Sequence, residues 1–189
     1  MIDILNFIAE AGILKRVKRT GWWMLGIANE ESVADHSFRC AVIGYFLAKK
    51  EKAKVEKVLL MTLFNDIHES RITDLHKVAH TYIDVRKAEK DVFKDQVKSL
   101  DEPIKNEMIS FRDEYDQQET LESIVARDAD ILECLVQAKE YEEAGYKKAK
   151  KFFVKAPEHL KTVSAKKMWE CLQSWDSSLW WEKIGKFER

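Results

Sequence analysis

Proline and glycine are scarce in this chain, with 2 prolines and 6 glycines among 189 residues. Both residues interrupt helices, one by steric clash and a missing donor, the other by backbone entropy. Their scarcity, with abundant Lys, Glu, Ala and Leu, argues for long helices and few turns. Cysteine is sparse as well. Cys40, Cys134 and Cys171 are far apart, odd in number and without CxxC spacing, so each reads as a reduced, buried small residue in a cytoplasmic protein. No uncharged run of membrane-spanning length occurs. The first residues, MIDILNFIAEAGIL, are apolar but carry Asp3 and Glu10 and no basic leader, so they read as an amphipathic helix rather than a signal peptide. There is no internal repeat, no Gly-rich phosphate loop, no GxSxG and no HExxH. The net charge is -1, so no global basic field invites nucleic acid.

What is present is helical periodicity. Charged residues make up 34% and hydrophobic ones 46%, enough for a soluble domain with a buried core. The periodicity predicts an all-α bundle in one domain, with a core over 1–150 and a C-terminal helical extension over 151–189. The pattern predicts a first helix over 2–12 with Ile2, Leu5, Ile8 and Ala9 on one face. A second starts at Ser32, where Asp35 completes a capping box, and its inward stripe runs Val33, His36, Cys40, Ile43, Leu47. A third runs from about Val55 to Ser70. A turn and short helix follow over Ile72 to His80, then two charged helices over 82–99 and 104–114, separated by Pro103 and resembling a solvated lid or an outer layer. A long helix over Glu119 to Ala144 carries a stripe of Ala126, Asp130, Cys134 and Ala138. A short helix over 147–154 and a last helical pair from Pro157 to about 187 complete the chain. The tail tryptophans Trp169, Trp175, Trp180 and Trp181 read as closing a core or a subunit interface, which points to a homodimer.

The focal stretch is LLMTLFNDIHESRITDL, from Leu59 to Leu75. Leu59, Leu63 and Asp66 lie at i, i+4 and i+7, so Asp66 continues an apolar stripe. A carboxylate facing a core is costly unless paired or bound to a metal. Glu69 stands three after Asp66 and four after Asn65, so the three share one patch of helix surface. Asp66 is either an ion-paired residue inside a bundle or part of a site. The same choice holds for an inward His36, and for Asp130, which has either ligand space beside it or Arg127 as a partner. Together His36, Asn65 with Asp66, and Asp130 bring one nitrogen and several oxygen donors from facing helices, which is how bundle metal sites are built. Mixed imidazole and carboxylate donors suit Mn, Fe, Co, Ni or Zn. The Lys15 to Arg19 cluster adjoins Gly21, Trp22 and Trp23; guanidinium and aromatic groups together suit a planar anionic ligand such as a nucleotide, unless the tryptophans plug the core. The basic run Lys147 to Lys151 reads as a solvated helix end.

The order ESVADHSFRCA, LFNDIHESRITDL, ARDADILECLVQAKEYEEAG resembles the His-Asp (HD) domain phosphohydrolases, more narrowly the branch with bacterial YfbR-type 5′-deoxynucleotidases. The resemblance covers roughly residues 10 to 145. It implies metal ligation by His36, Asp66 and Asp130, catalytic acids at Glu69 and Asp74, and a substrate-reading pair in Arg19 and Trp22. It implies a divalent metal cofactor (Mn, Co, Ni, Fe, Zn or Mg) and a small nucleotide substrate hydrolysed to nucleoside and phosphate. This chain departs from the pattern at the dyad histidine, which is Asn65. An amide oxygen there makes the ligand set harder, weaker for Zn or Co and relatively better for Mn or Mg. His68 is a second histidine able to swing in as a replacement. The alternative reading is a nucleotide-binding protein whose turnover is lost through Asn65.

Overall fold

The computed structural model describes residues 1–185, which form helices and no β-sheet. A one-turn helix, α2 (Thr20–Trp23), which the sequence pattern places in a loop, precedes the second expected helix. The second helix begins where the capping box predicts. Ser32 Oγ accepts from Asp35 N at 3.1 Å and Asp35 Oδ2 accepts from Ser32 N at 2.9 Å, starting α3 over Val33–Glu51. That start fixes His36 in the first full turn, facing inward. α3 packs against α4 (Val55–Phe64) and α8 (Leu121–Glu143), and this trio carries the main core. Leu47, Ala48, Val58, Val125, Ala126, Ala129, Leu132 and Leu135 are fully enclosed there. Gly44 sets the approach of the helices: a Cβ at that position would stand 3.1 Å from Val58 Cγ1 and 3.2 Å from Thr62 Cγ2.

A second core lies beside the first. α1 (Ile2–Ile13), α6 (Val85–Val97) and α7 (Glu102–Gln117) surround Leu14, Val33, Ile67, Phe93, Val97, Leu100 and Met108. Of the two expectations for the charged helices, lid or outer layer, the packing supports a packed outer layer. Pro103 sits in the first turn of α7 rather than between helices, a place where its missing N–H is not needed. α1 packs through Ile4, Phe7 and Ala11, while Ile2, Leu5 and Ile8 face outward.

The third helix is shorter than its pattern predicts. α4 stops at Phe64, residues 65–68 turn, and α5 spans Glu69–Ile72. Glu69 N donates to Asp66 O at 3.0 Å, so the Asn65 carbonyl is left free and accepts instead from Arg112 Nη1 at 2.8 Å. Leu63 is 43% exposed, and the inward face of α4 is Val58, Met61 and Thr62. Asp66 is buried because the turn carries it inward, not because it extends a Leu59–Leu63 stripe.

After α8 the chain makes a 3-10 turn at Lys147–Lys151, then α9 (Phe152–Lys155), another 3-10 turn at Ala156–His159, α10 (Val163–Ser174) and α11 (Leu179–Glu182). The expected helical end near 187 lies outside the described residues. The buried Asp128 pins α10 to α8, accepting from Lys161 N at 2.9 Å and Thr162 N at 2.7 Å. Of the tail tryptophans, Trp169 packs on Phe153, whereas Trp175, Trp180 and Trp181 are exposed. Cys171 is exposed too, contrary to its reading as a buried thiol, because it lies on the outward side of α10; Cys40 is buried and Cys134 partly so. No helix among the described residues is long and apolar enough to cross a membrane.

Overpacking a close helix crossing costs about 1–3 kcal/mol. Gly44→Val is expected to destabilise the fold by that amount, read as a lower Tm and denaturant midpoint. An unchanged midpoint would show that α3 and α4 do not approach as described.

Candidate metal centre

Three separate segments meet at the imidazole of His36. Its Nε2 lies 3.1 Å from Asp130 Oδ1 and 3.4 Å from Asp66 Oδ2. Its Nδ1 bonds Glu133 Oε2. The ring is buried, on α3; Asp130 and Glu133 are on α8, three residues apart and so on one face; Asp66 is on the 65–68 turn. Burial and Arg19 oppose protonation of His36, but Glu133, Asp130 and Asp66 hold it well above its ordinary value. Burial also opposes ionisation of Asp66, yet the hydrogen bond and charge of His36 hold that carboxyl below its usual range. Two carboxylates facing an imidazole nitrogen are donors suited to a divalent cation, and a carboxylate on the other nitrogen is the support such ligands have.

Glu133 is a residue the sequence reading passed over. It is fully buried, binds His36 and accepts from Arg39 Nε at 2.9 Å. Its spacing of three from Asp130 was the available signal. Arg39 continues outward to Glu140 at 2.7 Å and Gln137 at 2.5 Å. Glu31 closes the same side: burial and the charge of Glu133 push its carboxyl up to about 7, and it accepts from Trp22 Nε1 at 2.8 Å. Asp130 also pairs with Arg127 Nη1 at 2.8 Å, so facing the His36 site and pairing with Arg127 coexist.

The turn brings in the acids. Asn65 Nδ2 donates to Asp66 Oδ1 at 2.7 Å, so the amide nitrogen braces the carboxylate on its far oxygen. Glu69 is 8% exposed, and its Oε2 has no hydrogen-bond partner. Burial first, then the charges of Asp66 and Asp74, push it well above its ordinary value. Asp74 Oδ2 accepts from Thr20 N at 2.8 Å and stands 3.9 Å from Arg19 Nε. Thr73 between them adopts φ 63°, ψ 169°, a region that only glycine enters freely. His68 is buried but engaged elsewhere. Its Nδ1 is 3.3 Å from Arg112 Nη1 and its Nε2 3.6 Å from Glu89 Oε1, so it does not join Asp66.

Arg19 lies among the acids. Nη1 is 3.7 Å from Asp66 Oδ2, and Nη2 donates to Cys134 Sγ at 3.1 Å. Trp22 is not beside it as an open stacking face. It is 2% exposed, with its ring against Phe152 at 4.4 Å and Tyr141 at 5.2 Å, because the indole N–H is drawn inward to Glu31. Trp23 is 48% exposed and meets the His76 ring at 5.5 Å. Of the two tryptophans, Trp23 therefore has the free face.

A family model described as the HD domain matches residues 11–171. The chain belongs to the HD-domain family. It is 31% identical over 157 residues to the 5′-deoxynucleotidase HDDC2 of Danio rerio, covering 82% of this chain and 78% of that protein. Identity to the 5′-deoxynucleotidase HDDC2 of Dictyostelium discoideum is 32% over 153 residues, 76% of this chain and 80% of the other. Among solved structures, a conserved hypothetical protein from Pyrococcus furiosus superposes with a TM-score of 0.76 at 35% identity, covering 89% of this chain and 96% of that one. Against this HD-domain background, the residue before Asp66 is an amide rather than an imidazole.

The strained Thr73 gives a prediction. A non-glycine residue in such a region costs of order 1–3 kcal/mol. Thr73→Gly is expected to raise the unfolding free energy by about 1 kcal/mol, less what glycine's extra chain entropy takes back. Equilibrium denaturation checks this, and a loss of stability would mean that Thr73 is not strained.

Proposed function

We propose that this HD-domain protein is a metal-dependent phosphohydrolase that converts (deoxy)nucleoside 5′-monophosphates to nucleoside and phosphate. The observation that carries the reading is the meeting of His36 Nε2 with Asp130 and Asp66 at 3.1 and 3.4 Å, from three segments of the bundle. The relatives named as 5′-deoxynucleotidases supply the substrate class and favour turnover over mere binding. We assign His36, Asp66 and Asp130 as ligands, with the Asn65 amide oxygen as a further donor after a side-chain flip. A divalent ion held there supplies a Lewis acid for a phosphoryl oxygen and lowers the pKa of a water.

The remaining steps belong to the chain's own residues. Glu69, buried and with an unpartnered oxygen, orients the attacking water and takes its proton. A carboxylate pushed up by burial and like charge is better matched to that task than an ordinary one. Asp74, fixed by Thr20 N, positions the 5′-oxygen side of the leaving nucleoside. Arg19 reaches both Asp66 and Asp74 and holds the phosphate or the sugar. The half-exposed Trp23 offers the base a stacking face, in place of the enclosed Trp22.

Phosphate release from a panel of nucleoside monophosphates tests the reading. Activity is expected with added Mn, Co or Mg, lost on chelation and restored by metal. Asp130→Asn is expected to lower kcat/KM by on the order of 10²–10³, the loss for removing several kcal/mol of charge stabilisation. Release that survives chelation would refute metal dependence, and none from any monophosphate would refute the enzyme.

We also infer a homodimer and a cytoplasmic setting. Phe38, Val42, Tyr45 and Phe46 are exposed at helical spacing on the outer face of α3, which supports burial against a second copy. The three free cysteines support a reducing compartment. Phe46→Glu is expected to convert a dimer to monomers in light scattering. A wild-type monomer at the same concentration would refute the dimer.

A further inference from the structure

The Cys134 thiol belongs to no part of the scheme above, yet it faces the same ions. It is one turn after Asp130 on α8, so both side chains leave the helix on one face. Ligand atoms of His36, Asp130 and Cys134 all lie within 4.8 Å of one another. Ligands around a tetrahedral cation with bonds of about 2.0–2.3 Å are spaced roughly 3.3–3.8 Å apart, so a small side-chain movement closes the set. The Arg19 guanidinium donates to the sulfur at 3.1 Å, and its charge offsets part of the burial that pushes the thiol up to about 12. One further observation points to a cation rather than an isolated thiol. The buried Glu69 Oε2, without a partner, lies in the charge field of Asp66, Asp74, Arg19 and His36. An oxygen so enclosed is an acceptor waiting for a cation or its water.

We propose that Cys134 Sγ is a ligand of the metal centre alongside His36 and Asp130, and that it makes the centre selective for a thiophilic divalent ion. This rests on the metal-dependent reading above and deepens it. It also reverses the consequence of Asn65. An amide oxygen at the dyad position alone would turn the site toward Mn or Mg, whereas a thiolate turns it toward Zn, Co or Fe. Coordination breaks the S–H bond and forms a metal–sulfur bond; the proton passes to solvent, and no redox step is involved. The other cysteines are not placed for the role: Cys40 lies in the main core and Cys171 on the outside of α10.

Cobalt spectroscopy of the full chain tests the assignment without reference to activity. Wild-type protein purified with reductant and no chelator is titrated with Co²⁺. Expected are visible ligand-field bands and a near-ultraviolet sulfur-to-cobalt charge-transfer band. Cys134→Ser should keep the ligand-field bands and lose the charge-transfer band. Its Zn²⁺ affinity should fall by more than about tenfold, since even supporting groups around a metal are worth 10–100-fold. Its Mn²⁺ affinity should fall much less. Cys171→Ser should leave both kinds of band unchanged. Ligand-field bands without charge transfer in the wild type overturn the Cys134 assignment and leave the metal reading standing. Charge transfer that persists in Cys134→Ser also overturns it. No cobalt bands at all overturn both.

Discussion

The buried imidazole of His36, with carboxylates on both ring nitrogens, is the constraint on which the rest of this structure depends. Glu133 on Nδ1 fixes the ring plane, so Nε2 has one direction, toward Asp130 and Asp66. Burying such a group is expensive in isolation, and removing one partner of a buried pair typically costs 3–5 kcal/mol because a charge is left uncompensated. The bundle is built to keep every partner in reach. Gly44, Ala126 and Ala129 let α3, α4 and α8 lie close, and Arg39 compensates Glu133 from the outer side at 2.9 Å. The apolar core and the polar centre are thus one construction: small residues at the crossing determine the spacing of the charged ones above it.

That construction was readable in part from local pattern. Scarce proline and glycine, and the Ser32–Asp35 box, are local signals, and local hydrogen bonding realises them as helices and as the start of α3. The inward stripe from Val33 to Leu47 is likewise a matter of helical spacing, and its members are buried. The stretch after Phe64 is less legible in local pattern, for a nonlocal reason. The turn at 65–68 exists because Arg112, 47 residues later, takes the Asn65 carbonyl. No periodicity within the stretch encodes that bond, so periodicity alone places Leu63 inward and extends the helix to Ser70. Trp22 and Trp23 are adjacent and chemically alike; what separates them is Glu31, which draws one indole into the core. Glu133 is not legible in the sequence, because a charged residue in a charge-rich helix carries no mark of burial until its partner on α3 is known.

The outer layer then has a mechanical meaning. A four-residue helix such as α5 is far too short to hold itself together. It is held from both sides instead. Arg71 donates to both oxygens of Glu10 at 2.8 and 2.6 Å and to Asp95 at 2.5 Å, joining α5 to α1 and α6. Gln96 reaches the Ile67 carbonyl at 3.2 Å and Ser70 Oγ at 2.9 Å, and Arg112 reaches the Asn65 carbonyl from α7. Single exposed ion pairs contribute little, but these bonds converge on seven consecutive residues and leave the backbone few alternatives. Only a segment so over-determined tolerates the Thr73 conformation. It follows that α1, α6 and α7 do not merely cover Asp66 and Glu69. They form the frame without which the segment bearing both acids would have no fixed shape, which is why the chain spends three helices on a few residues of chemistry.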